Sequence, residues 1–138
     1  MSSIRRQWQR GAAAVEFALV MTPLLLLALG GIDFGHYFYV REIVVNAARE
    51  GARAGAIVPN ALSQPAVANA TAVATAQAYL TSVGLTAAAT VDNCTPTPAP
   101  PVPYVCVQVL YPAASITGFL SALMPANAMG QAAMRLEP

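Results

Sequence analysis

From Ala12 to Ile32 the chain runs for 21 residues with a single charge, Glu16. As a helix this stretch is roughly 32 Å long, close to the thickness of a bilayer's hydrocarbon core. A helix that is apolar around its whole circumference must be covered by lipid or by other protein. Within 138 residues that leaves room for one further small domain. The remainder is itself unusually apolar: the whole chain is 57% hydrophobic and only 9% charged. The expected organisation is therefore a membrane segment joined to one compact unit.

The charges give this segment a direction. Arg5, Arg6 and Arg10 all precede it, whereas the charges between Asp33 and Asp92 form no cluster of one sign. By the positive-inside rule the N-terminus stays in the cytoplasm and the rest is exported. Trp8 on one side and Tyr37-Phe38-Tyr39 on the other suit the two interfacial aromatic belts, with packing against protein as the equal alternative. No basic patch argues for a nucleic-acid partner.

The helical pattern does not stop at the far side of the membrane. It continues through Tyr39–Glu50 to about Ala56, predicting one helix over residues 12–56, roughly 68 Å long, of which 12–32 spans the membrane. Pro23 removes one backbone hydrogen bond and is expected to kink it, which membrane helices tolerate. Small residues recur at four-residue spacing, Gly31 with Gly35 and Ala47 with Gly51 and Gly55. Such faces admit a second helix at close range, either in an assembly or, for the Ala47–Gly55 stripe equally, within this chain's own domain. Arg49 and Arg53, with Glu42, Asn46 and Glu50 nearby, read as a polar stripe.

Residues 57–138 read as an exported α+β domain. Pro59-Asn60 closes the long helix, and Pro65 begins a second over 66–83, with Val67, Ala70, Ala74, Ala78 and Leu80 as a loose apolar face and Gly84 as its stop. Thr86–Asp92 predicts a short strand. Val102–Tyr111 predicts a stronger, central one, because both of its alternating faces are apolar. Ala113–Met124 predicts a short helix closed by Pro125, and Asn127–Glu137 a last strand. The fold class is thus α+β, a long N-terminal helix followed by a small three-stranded antiparallel sheet, a pilin-like architecture. Cys94 and Cys106 flank a proline-rich loop at 95–103 and predict a disulfide on the exported side, where such bonds persist.

Chemistry that would mark an enzyme is missing. There is no lysine, only one histidine, His36, and no GxSxG, GxGxxG, CxxC or HExxH spacing. The acidic residues are scattered, without a pair placed for acid–base catalysis. We expect no catalytic residues, cofactor or metal in this chain.

Glu16 is the feature that a plain anchor leaves unexplained, because a carboxylate inside the membrane costs free energy. Cleavage after Gly11 would give Ala12 a free ammonium, with Glu16 four residues on, so the two charges could be matched within a subunit or between neighbours. The run Arg10-Gly11-Ala12-Ala13-Ala14-Val15-Glu16-Phe17-Ala18-Leu19-Val20, with Pro23–Leu27, Gly31-Ile32-Asp33-Phe34-Gly35 and Asn46–Gly55, resembles the N-terminal module of the TadE/TadG-like pseudopilins of the tight-adherence (Flp, type IVc) pilus system. The ending Ala132–Glu137 is similar to how such proteins close. The resemblance implies a cytoplasmic leader over residues 1–11, a prepilin peptidase that cuts between Gly11 and Ala12, and an assembly role for Glu16 and Phe17. It implies as partners that peptidase, other pilins or pseudopilins, the pilus assembly machinery and the bacterial inner membrane. The family also places an acidic residue near Asp33, and an arginine or similar residue after Gly35, where this chain has His36.

The reading that follows is a minor pseudopilin-like subunit, single-pass in the inner membrane with its domain in the periplasm, or extracellular in an assembled pilus. Two alternatives stay open. One is an uncleaved single-pass protein whose periplasmic domain binds a partner; the other is a secreted protein cut near Gly30, where Ala28-Leu29-Gly30 resembles a signal-peptide site.

Overall fold

The computed structural model describes residues 2–85, 89–97 and 101–136, with side chains described from Gly11 onward within that range. The side chains of Arg5, Arg6, Trp8 and Arg10, part of the proline-rich loop and Glu137 lie outside it. The order of elements is α1 (Ser2–Ala56), α2 (Pro65–Ser82), β1 (Thr90–Asn93), β2 (Tyr104–Pro112) and β3 (Asn127–Arg135). The class is α+β.

α1 is 55 residues long, about 82 Å. Its start is ten residues earlier than expected, and it runs through Gly11 and Pro23 without a break in helical backbone. At Pro23 the lost bond would have gone to the Leu19 carbonyl. One residue earlier the Thr22 hydroxyl donates to the Ala18 carbonyl oxygen at 2.7 Å, a back-bond that is common where a helix bends. From Gly11 to Ala28 α1 touches little: Val15, Phe17, Leu19, Val20 and Leu24–Leu27 are all exposed. The second half is the centre of the domain core. Val40, Val44, Ala47, Ala48, Ala52 and Ala56 are buried at helical spacing on one side.

α2 returns antiparallel along that side. Its buried residues are Ala68, Ala72, Ala76 and Leu80, four apart. This corrects the face expected from the sequence: Val67, Ala70, Ala74 and Ala78 point outward, and only Leu80 was placed correctly. In a helix that is alanine on several sides, close fit selects the face rather than side-chain size. The fit is to glycine. A Cβ on Gly51 would lie 2.5 Å from the Ala72 carbonyl oxygen and 2.9 Å from the Ala76 Cβ, and one on Gly55 would lie 2.6 Å from the Ala68 carbonyl oxygen. Between the helices, Asn60 takes a left-handed backbone (φ 58°), which asparagine tolerates better than most residues.

The three strands form an antiparallel sheet in the order β1-β2-β3, so β2 is central, as its two apolar faces require. Val105, Val107 and Val109 pair with Met134, Ala132 and Gly130, and this face packs on the helices. β3 crosses α1 so closely that a Cβ on Gly130 would overlap the Val44 carbonyl. β1 covers Thr90–Asn93, shorter than expected; residues 86–88 are outside the described range. Cys94 and Cys106 are joined by a disulfide, Cα to Cα 5.0 Å, at the end of the sheet where the Cys94 amide also donates to the Cys106 carbonyl at 3.1 Å.

The expected helix over Ala113–Met124 does not form. The segment between β2 and β3 is a chain of bends and turns, with Gly118 in the left-handed region at φ 75°. Its polar side chains are used to bind a carboxylate on α1, and a helix could not present them that way.

Candidate functional site

β2 descends along α1, from Val105 beside Gly55 to Val109, whose partner Gly130 lies against Val44. Continuing in that direction, the loop after Pro112 reaches Asp33. This is the one buried charged residue among those described, with none of its surface accessible. Ser115 Oγ donates to Asp33 Oδ2 at 2.6 Å, and Thr117 Oγ1 donates to the same oxygen at 2.6 Å. The Thr117 amide donates to Oδ1 at 2.9 Å, and the Leu120 amide reaches Oδ2 at 3.4 Å.

A second set of bonds holds the donors. The Gly118 amide donates to Ser115 Oγ at 2.8 Å, and the Phe119 amide to Thr117 Oγ1 at 3.2 Å. Each hydroxyl therefore accepts from the loop backbone while donating to the carboxylate, a polarised chain in which every member is satisfied. Burial pushes the Asp33 carboxyl up, but the hydrogen bonds from Ser115, Thr117 and Leu120 outweigh it and hold the group well below the usual carboxylate range. Asp33 stays ionised, and it is the first residue beyond the expected spanning stretch.

Just inside that stretch, a Cβ on Gly30 would lie 3.5 Å from Leu120 Cδ1, so the loop also covers the last turn of the apolar segment. Around the same level Phe34 and Phe38 stack with ring centroids 6.4 Å apart, and Tyr37 meets Phe38 edge-on at 5.8 Å. Phe34, Phe38 and Tyr39 are exposed.

The residues singled out in the sequence fall into separate places. Gly11, Ala12, Glu16 and Phe17 are all exposed on α1, with no other part of the domain near them, and Glu16 stands one turn from Ala12. Gly31 and Gly35 have open space where a Cβ would be. Ala47, Gly51 and Gly55 are covered by the chain itself, the two glycines by α2. On the polar side of α1, the Asn46 amide donates to Glu42 Oε1 at 3.3 Å, while Arg49 and Arg53 are exposed. No three His, Cys, Asp or Glu side chains converge among the described residues. The site that residue-by-residue reading missed is Asp33 with Ser115 and Thr117. Its one sequence signal was an acid at the end of an apolar run, with His36 one turn on as the nearest basic side chain in sequence.

A helix that is largely exposed from Gly11 to Ile32 and forms the core of a small α+β domain over its second half fits a membrane-associated protein. The apolar half is long and hydrophobic enough to cross a bilayer, with a mean hydropathy of 2.2 in its most apolar window and none of that window buried. Residues 11–53 match the model of the TadE-like protein family, so the N-terminal third of the chain is similar to a family associated with the tight-adherence (Tad) pilus. Comparison with curated proteins found no match, and neither did comparison with solved structures. The matched stretch runs from the bare Gly11 through Asp33 to the turn that packs on α2.

Proposed function

We propose that this chain is a minor pseudopilin-like subunit of a Tad-type pilus, cut after Gly11 by a prepilin peptidase and assembled through the bare half of α1. The observation that carries the reading is the largely exposed run of residues 11–32, apolar but for Glu16, which lies within the TadE-like match. Lipid covers its surface in the membrane, and the same surface can exchange lipid for neighbouring helices in a filament at little cost. The arginines before it favour a cytoplasmic N-terminus and a periplasmic domain.

Gly11 suits a cleavage site physically. It lies inside α1 with nothing packed against it, and glycine within a helix is weaker than alanine by roughly 0.5–1 kcal/mol, which eases local opening for a protease. After the cut, the new ammonium of Ala12 and the carboxylate of Glu16 lie one turn apart. They can neutralise each other or pair across subunits and so set register. By contrast, Leu120 rests beside Gly30, so that position is covered by the domain where Gly11 is open, which argues against release there.

The test is the mature N-terminal residue, by intact mass of protein from cells that carry the matching peptidase. A start at Ala12 supports the proposal. An intact Met1 terminus would replace it with a static anchor, and a start at Gly31 with a secreted protein.

A further inference from the structure

We propose that the loop over residues 113–126 is a membrane-seated element: its apolar side chains enter the outer interfacial layer of the bilayer beside α1. This rests on the reading that residues 12–32 span the membrane.

Three observations converge on it. The first is position. Asp33 binds Ser115, Thr117 and Leu120, and Leu120 lies beside Gly30, so the loop is fixed at the level where α1 leaves the apolar stretch. The second is composition. Residues 113–126 contain no charge, and Ile116, Phe119 and Leu123 are 62%, 48% and 78% exposed. The polar atoms of Ser115 and Thr117 are turned inward onto Asp33, which leaves the apolar residues as the outer surface. The third is continuity. Phe34 and Phe38 on α1 are exposed within two turns of Ile32, so the helix carries apolar surface on past the level at which Asp33 and Gly30 hold the loop.

Aromatic and aliphatic side chains at that height are the ordinary composition of a headgroup–acyl boundary. The occupant is therefore lipid rather than a protein partner. The consequence is that the domain sits on the membrane at a second point beside its helix, and Asp33 is the residue that holds the second point in place.

The test uses the full chain, with Trp8→Phe to remove the native fluorophore and a single reporter introduced as Leu123→Trp. Position 123 is largely exposed, so the substitution does not load the core. Protein is placed one copy per nanodisc of phosphatidylethanolamine and phosphatidylglycerol, with acyl chains brominated near the headgroup or near mid-chain. A matching variant, Leu25→Trp, reports on the spanning segment. We expect the reporter at 123 to emit to the blue of its value in water and to be quenched more by the headgroup-proximal bromine, while that at 25 is quenched more by the mid-chain bromine. A reporter at 123 that is unquenched and open to iodide, with that at 25 still quenched, overturns the membrane-seated loop alone. Loss of quenching at 25 overturns the spanning reading beneath it. Shielding at 123 only in discs that hold two copies would assign the loop to a contact between subunits and overturn the proposal.

Discussion

Ser115 Oγ donates to Asp33 Oδ2 at 2.6 Å across 82 residues of sequence, tying the loop between the last two strands to the helix where it leaves its apolar half. Thr117 and Leu120 complete the same clasp. The contact explains both why an ionised side chain is tolerated in a buried position and why this loop has a defined shape without being a helix. A carboxylate that accepts several hydrogen bonds is stabilised there, and the donors it recruits are unavailable for helix capping.

Asp33→Ala removes the acceptor for all four bonds and leaves the Ser115 and Thr117 hydroxyls without the carboxylate. The loop should open while the helices and sheet remain folded. Amide hydrogen exchange at Thr117 and Leu120 should speed up, with Val107 and Val109 unchanged. Equal loss of protection in β2 would show that the clasp holds the whole domain and not only the loop.

The same carboxylate makes the loop acid-sensitive. A group whose folded pKa lies below its unfolded value contributes stability that is complete above the unfolded pKa, about 3.9 for aspartate, and is lost as pH falls toward the folded value. Loop order should therefore be constant at neutral pH and decline only below about pH 4. The Thr117 amide chemical shift, followed by NMR through an acid titration, reports it directly, and Asp33→Asn should flatten the response.

The two pairs of glycines on α1 should respond in opposite ways. Gly55→Leu places a side chain against the Ala68 carbonyl and Ala72, and overpacking of that kind costs about 1–3 kcal/mol. Gly35→Ala meets nothing and should leave stability equal or raise it by roughly 0.5–1 kcal/mol, the usual gain from removing glycine in a helix. Thermal unfolding in detergent separates the two. If Gly35→Ala instead impairs filament assembly with the domain fully stable, its open face is used by a neighbouring subunit.

Cys94→Ser with Cys106→Ser should destabilise the domain by about 3 kcal/mol, the loop-closure value for a bridge of this span. Denaturant unfolding with and without reductant measures it. The parent should fall to the level of the double variant when reduced, and the variant should not respond.

Glu16→Ala should insert and fold like the parent, because Glu16 contacts nothing in the domain. Assembly of pili, scored by electron microscopy of sheared cell-surface fractions, should fall. A variant that assembles normally would remove the pairing role from Glu16 and leave the apolar face as the sole basis of association.

What the residues reveal in advance depends on whether the deciding interaction is local. α1 is legible because one long apolar run and a periodic face are written into consecutive residues, and β2 because a strand with valine on alternate positions and a second apolar face belongs in the middle of a sheet. The buried face of α2 is not legible. Alanine occupies several sides of that helix, so hydropathy cannot rank them, and the choice is made by where Gly51 and Gly55 let a backbone approach. The loop is illegible for another reason. Ala113–Met124 has acceptable helix composition, yet its conformation is decided by a carboxylate on a different element, far away in the chain.

α1 has no joint between its apolar stretch and its buried half, since the helix runs unbroken from that stretch through the buried Asp33 to the core that begins at Val40. The domain therefore cannot swivel on its anchor. Any arrangement of neighbouring helices that fixes the rotation of residues 12–32 also fixes the azimuth of the sheet, the disulfide end and the loop. Each residue of helical phase corresponds to about 100° of turn. A slip of a single residue in how the bare halves nest would present a different side of every domain to the outside.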